Sequence, residues 1–336
     1  MGKNTNFQPT IFRFTGLLLM VALTLAGGCS TPTNQSGAID SKTEPTLRIA
    51  YPGISTTIWP LMYAQNTGIF KTEGLNLEML RIRGVPQIIA TLMSGDIDVA
   101  WVGFDGMASA VARGASGLRY IGEFLTEFPT YLVVTSDINT IEDLRGKAIA
   151  TAGAGSISEA LFMEGLKQGG LSNPRQDTEL TNMHGPDNRL NQMINGNFAG
   201  VALNPPWAQR AESQGYKILQ YQGDVLDPYA GQGPITHSRV IESNREGLQR
   251  LVNSFRAAIR GMRENREKSV KIAMDYMALD PTLAEQVYDI MIPVMITDGM
   301  WNLEGIQKAF DSKTEFDNTV NASDYLDDSF LLESEM

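Results

Sequence analysis

Along residues 46–310 short apolar runs alternate with amphipathic stretches, the pattern of strands followed by helices. Leu47-Arg48-Ile49-Ala50-Tyr51 reads as a strand closed by Pro52-Gly53, Ile58 to Gln65 as a helix, and Asn76 to Arg81 as a second strand. Val85, Ile88, Ile89, Leu92 and Met93 fall at i, i+3, i+4, i+7 and i+8, which sets them on one helical face. Ser94-Gly95-Asp96 ends that helix, and Ile97 to Val102 is apolar enough for a strand buried on both sides. Farther on, Tyr131 to Thr135 and Ala148 to Thr151 read as strands and Thr140 to Arg145 as a short capped helix. Ser156 or Ser158 caps a helix running to about Gly169. From Arg245 to about Phe310 the pattern is helical, with Pro281 at a helix start. Strands alternating with helices predict an α/β protein with mainly parallel sheets.

One pattern occurs twice. Leu92 to Gly103 and Met193 to Asn204 both read as helix end, glycine turn, buried strand and loop, and Gly95 and Gly196 are 101 residues apart. Two similarly built lobes follow from this. Ligands of open α/β sheets gather beyond the carboxyl ends of strands, so the loops at Phe104-Asp105 and Pro205-Pro206-Trp207 are expected at one crevice.

The ends of the chain have a different character. Lys3 and Arg13 precede the apolar run Leu17 to Leu25, and Ala26-Gly27-Gly28 supplies small residues before Cys29, the single cysteine. Such a run is too short to span a bilayer and reads as a removable export signal over residues 1–28. Cys29 resembles the lipidated first residue of a bacterial lipoprotein, although Ala26 stands three positions before it where leucine is usual. Residues 29–45 are polar, without periodicity, and read as a flexible linker. Residues 311–336 hold eight acidic side chains against Lys313 alone and read as a solvated acidic tail.

The formal net charge is −11, and no basic run offers a face for phosphates, so nucleic acid is excluded as a partner. One cysteine allows no internal disulfide. His184 and His237, the only histidines, belong to no hydrolase or zinc-protease motif. No cluster has metal-ligand spacing, and no cofactor is expected. Thr151 to Ser158 resembles half of a dinucleotide fingerprint, but Ser158 stands where the third glycine belongs.

Five segments carry a family resemblance. They are Leu47 to Tyr51, Gly68 to Leu75, Ser94 to Ala100, Ile141 to Lys147 and Pro206-Trp207-Ala208. In this order and spacing the chain resembles the periplasmic substrate-binding proteins of ABC importers, of the nitrate, sulfonate and taurine class that includes thiamine-precursor binders. The resemblance implies a type II periplasmic-binding-protein fold, with two lobes joined by two crossing segments. Lobe one would comprise 46–130 plus 232–310 and lobe two 131–231, with the hinge near Thr130-Tyr131 and Gly231-Gln232-Gly233. Glycine there suits changes of φ.

Carried onto this sequence, the cleft is expected to take hydroxyls and amides from Ser55, Thr56 and Thr57, amides at Gln87, and an amide-rich helix start at Gly155 and Ser156. Asp105 is a candidate polar contact, and Arg83 and Tyr229 are weaker ones. Trp59, Phe104, Phe128, Tyr131 and Trp207 are candidates for flat apolar walls. Pro205 replaces a glutamate common in the family, which argues against a cationic ligand. The expected function is a lipid-anchored, monomeric solute receptor that delivers a small organic anion, sulfonate-like or carboxylate-like, to an inner-membrane permease and its ATPase. An enzyme on the same fold, resembling chorismate dehydratase, and a binder of a thiamine-type pyrimidine precursor stay as alternatives.

Overall fold

The computed structural model describes residues 44–313 and 320–331. The export signal, Cys29 and nearly all of the linker lie outside the described residues. The first lobe opens with β1 (Thr46–Tyr51), α1 (Trp59–Thr67), α2 (Ile69–Thr72) and β2 (Asn76–Arg81). It continues through α3 (Val85–Ser94), β3 (Val99–Gly103), α4 (Phe104–Ala112) and β4 (Leu118–Tyr120). The second lobe holds β5 (Tyr131–Val134), β6 (Ala148–Thr151), α5 (Ile157–Gln168), α6 (Pro174–Asp177) and β7 (Glu179–Asn182). It is completed by α7 (Pro186–Ile194), β8 (Gly200–Leu203), α8 (Trp207–Ser213) and β9 (Lys217–Tyr221). The chain then returns as β10 (Gln232–His237) and runs into α9 (Ser238–Glu264), α10 (Arg266–Met277), α11 (Pro281–Met291) and α12 (Leu303–Asp311).

Local chemistry explains these boundaries. Ser156, not Ser158, caps α5, its hydroxyl accepting from the Glu159 N–H at 3.3 Å. Asp280 caps α11 ahead of Pro281 in the same way, accepting from the Leu283 N–H at 3.0 Å. The segment expected as a short helix near Thr140 forms only a 3₁₀ turn, Glu142–Leu144. Its entry is fixed by Asp143, whose carboxylate accepts from the N–H groups of Asn139 and Thr140, both at 2.9 Å. The strand expected from Ile97 begins at Val99, because Asp98 turns its carboxylate to Arg48, accepting from its backbone N–H at 2.8 Å and its guanidinium at 2.9 Å.

Each lobe carries a five-stranded mixed sheet, in the orders β2-β1-β3-β10-β4 and β7-β6-β8-β5-β9. Pairing within each is parallel except around one strand, β10 in the first sheet and β5 in the second. These two are the strands by which the chain enters a lobe after crossing between them. The repeated sequence pattern has a structural counterpart: β3 and β8 both sit third in their sheets, between a parallel neighbour and the antiparallel entry strand.

The crossing segments, 121–130 and 222–231, lie side by side. Leu125 and Gln232 exchange backbone hydrogen bonds at 3.1 and 2.8 Å, and the Gln222 N–H donates to Thr130 at 2.7 Å. Glycine is needed here for contact and not for conformational range. A Cβ on Gly231 would lie 1.8 Å from the Leu125 carbonyl oxygen and one on Gly233 1.9 Å from that of Gly122, while neither residue has a positive φ.

The largest core joins the first sheet to α1 and α9–α11, with Trp101 stacked on Phe255 at 4.4 Å and Phe124 on the same ring at 5.1 Å. The acidic tail departs from expectation. Ala322, Phe330 and Leu331 are buried, Arg256 donates to the Leu331 carbonyl at 2.9 Å, and the Arg245 guanidinium lies 4.2 Å from the centre of the Phe330 ring. Among the described residues of the tail these apolar side chains dock, while Asp311, Asp324 and Asp328 are exposed and Asp327 caps a 3₁₀ turn, an outcome that charge count alone did not foretell. Among the described residues no helix is long and apolar enough to cross a membrane.

Candidate ligand-binding cleft

The two lobes close on each other. The hydroxyl of Thr56 donates across the divide to the Pro205 carbonyl at 3.0 Å, the Trp207 indole N–H to Ile54 at 3.4 Å, and Arg210 to Ala278 at 2.9 Å. Between them lies a cavity of about 110 Å³. From the first lobe it is lined by the turn after β1, including Ser55 and Thr57, and by Gly84 and Val85 at the start of α3. The second lobe adds Gly153, Ser156 and Ser158 before and within the first turn of α5, His184 and Arg189 around α7, and Asn204 after β8. Phe128 enters from the first crossing segment and Gln232 from the start of β10. Both lobes thus present the carboxyl ends of their central strands to one site, as open α/β sheets do.

Arg189 is the centre of the cleft's electrostatics. It is buried to 3% exposure on α7, where Nε donates to the Ala202 carbonyl and Nη1 to the Met183 carbonyl, both at 2.7 Å. Neither partner carries charge. Among the described residues no carboxylate bonds it and nothing accepts from Nη2. Burial pulls its pKa down to about 10, opposed by Asp187, so the group remains a cation at neutral pH. A buried charge whose bonded partners are all neutral is unfavourable, and an anion in the cleft relieves that cost.

Two further polar atoms at the cleft have no partner among the described residues: the hydroxyl of Ser158 and the side-chain amide nitrogen of Gln232. Their residues are 6% and 2% exposed, so solvent does not satisfy them. Ser55 and Thr57 bond each other at 2.9 Å. His184 is exposed at the rim and crowds two glycines. A Cβ on Gly153 would lie 2.1 Å from its ring, so that position is kept bare for it, while one on Gly84 would lie 3.2 Å from the ring.

The expected site residues divide into two groups. Ser55, Thr57, Phe128 and Ser156 line the cavity. Thr56 and Trp207 join the lobes beside it, and Arg210 stacks on the Trp207 ring at 4.8 Å. Gly155 turns toward Ser109 of α4 and gives its N–H to Glu159 at 2.7 Å. Gln87 and Arg83 are exposed and do not line the cavity. Trp59 is core, edge-on to Tyr288 at 6.0 Å, and Phe104 is core between Tyr120 and Phe310. Both are large apolar faces inside helical stripes, which packing consumed. Asp105 is buried and paired with Lys313, and it accepts from the Tyr229 hydroxyl at 3.1 Å. Tyr131 rests against Tyr221, their ring centres 5.0 Å apart.

Arg189 and Gln232 were not among the expected ligand contacts. The twofold pattern holds the signal for the first. At the spacing that matches Gly95 to Gly196, Gly84 matches Gly185, and Arg189 takes the place of Ile88, a fully buried residue of α3. A charge where the sister helix buries isoleucine marks a function.

Several solved structures share this architecture. The alkanesulfonate-binding protein SsuA from Xanthomonas axonopodis pv. citri, bound to MOPS, is 21% identical with a TM-score of 0.72, and the match covers 84% of this chain and 98% of that one. The periplasmic aliphatic sulphonate binding protein SsuA from Escherichia coli is 24% identical with a TM-score of 0.68, covering 83% and 91%. The periplasmic nitrate-binding protein NrtA from Synechocystis PCC 6803 is 14% identical with a TM-score of 0.61, covering 71% and 68%. At these identities the likeness shows a shared fold, that of the periplasmic binding proteins. No curated protein matches in sequence. Residues 55–269, which include Ser55, Thr57, Ser158, Arg189 and Gln232, match the family described as NMT1/THI5 like, and the chain belongs to that family.

Proposed function

We propose that this protein is the solute-binding component of an ABC importer, which captures a small organic anion, sulfonate-like or carboxylate-like, and offers its closed form to an inner-membrane permease. The observation that carries the reading is Arg189, a buried cation at the cleft with only neutral partners. The sulfonate and nitrate binders that share the fold support it. A binder is favoured over an enzyme because no lining serine is bonded to His184 among the described residues. Ser156 gives its hydroxyl to the Gly153 carbonyl at 2.7 Å, and Ser158 has no partner.

The export segment and Cys29 support work outside the cytoplasm, at a lipid-tethered position in the periplasm or on the outer face of the cytoplasmic membrane. Native mass spectrometry of the purified protein, followed by titration with sulfonates, carboxylates, nitrate and pyrimidines, tests the proposal. One bound anion per chain is expected. Binding of a neutral pyrimidine alone, or conversion of a bound solute to product, contradicts it.

A further inference from the structure

The charge and size of the cleft say more about its solute than that it is an anion. Among the described residues Arg189 is the one side chain with a fixed charge that lines the cavity, and no aspartate or glutamate of them lines it. Buried acids elsewhere in the lobes are engaged. Glu159 is bonded by Arg175, by Asn182 and by the Gly155 N–H, Asp105 pairs with Lys313, and Glu123 accepts from the Gly231 N–H at 2.9 Å. An ammonium group brought into this cavity meets no counter-charge, and desolvation without pairing is strongly unfavourable.

The two unpartnered polar groups point to the same ligand class. An amide nitrogen donates only, and a serine hydroxyl can donate, so Gln232 and Ser158 both suit an oxyanion beside Arg189. Much of the remaining wall is apolar, with Ile54, Val85, Val102 and Ile157 among it, which suits a hydrocarbon tail. The cavity of about 110 Å³ has room for roughly four waters at about 30 Å³ each, which limits that tail to a few carbons.

Resting on the binder reading above, we infer that the cleft selects a short, singly charged anion with an uncharged tail, held by Arg189 together with Gln232 and Ser158, and rejects zwitterionic amines of equal length. The amine's penalty and the loss of either donor each correspond to a change of about tenfold or more in affinity.

The test is calorimetric titration of the mature protein, stripped of retained ligand, with matched pairs: propanesulfonate against taurine, and butyrate against β-alanine. Decanesulfonate probes length. The amine in each pair is expected to bind at least about tenfold more weakly, decanesulfonate more weakly than propanesulfonate, and the Gln232→Leu and Ser158→Ala variants about tenfold more weakly with unchanged melting temperature. Equal or tighter binding of the amines overturns the inference, as does full affinity in both variants. If a variant fails to fold, the ligand pairs on the unaltered protein decide alone. If anions bind and Arg189→Gln abolishes binding, yet amines bind as well, this inference fails and the binder reading stands. If no anion binds the unaltered protein, both fail.

Discussion

The indole of Trp207 donates to the Ile54 carbonyl of the opposite lobe and lies beneath the Arg210 guanidinium, which itself reaches Ala278. This side chain was expected as a wall against the ligand, and it serves instead as a contact that holds the lobes closed. Trp207→Ala is therefore expected to weaken ligand binding by about fivefold, the equivalent of about 1 kcal/mol, through faster release with an unchanged association rate. Stopped-flow binding checks this, and a loss confined to the association rate contradicts it. Individual roles of this kind were only partly legible in the sequence. Hydroxyls at Ser55, Thr57 and Ser156 could be placed because loops after strands and helix starts have fixed positions in an α/β lobe. Aromatic residues could not, since the same ring serves a core or a pocket, and Trp59 and Phe104 went to the core. Arg189 was hidden because an arginine within a polar helix normally reads as surface.

At the scale of elements, most strands and helices followed from apolar periodicity, and the repeat of α3-β3 in α7-β8 followed from the matched glycine turns. What the sequence did not show was how tightly the two crossing segments meet. There the Glu123 carboxyl, 1% exposed, accepts from the Gly231 N–H of the other segment, and burial pushes its pKa up to about 8 against that bond. An unfolded glutamate releases its proton near 4.5. The native state thus holds more protons between 4.5 and about 8, and stability falls as pH rises through that window, by up to about 1.4 kcal/mol per pH unit. Below 4.5 the contribution is complete, and above about 8 it is lost. Denaturant unfolding across this range is expected to show the slope in the unaltered protein and to lose much of it in Glu123→Gln, which keeps an acceptor for Gly231. An equal slope in both proteins contradicts the assignment.

For the whole molecule, the sequence conveyed the two-lobed α/β plan through its strand and helix alternation and its family segments, whereas the docked C-terminal segment escaped it because eight acids outweighed Phe330 and Leu331 in composition. The proposed tether makes a separate claim about the intact chain. Cys29→Ser is expected to abolish detergent-phase partitioning while leaving solute affinity unchanged, and continued partitioning rules out the lipid anchor. The proposed function turns on the buried Arg189 guanidinium between the two lobes. The measurement that tests it most directly is titration of a short sulfonate or carboxylate into the unaltered protein and into Arg189→Gln, with melting temperature recorded for each. One site per chain is expected in the unaltered protein, and a loss of about a hundredfold or more in the folded variant. Equal affinity in the two proteins would contradict it.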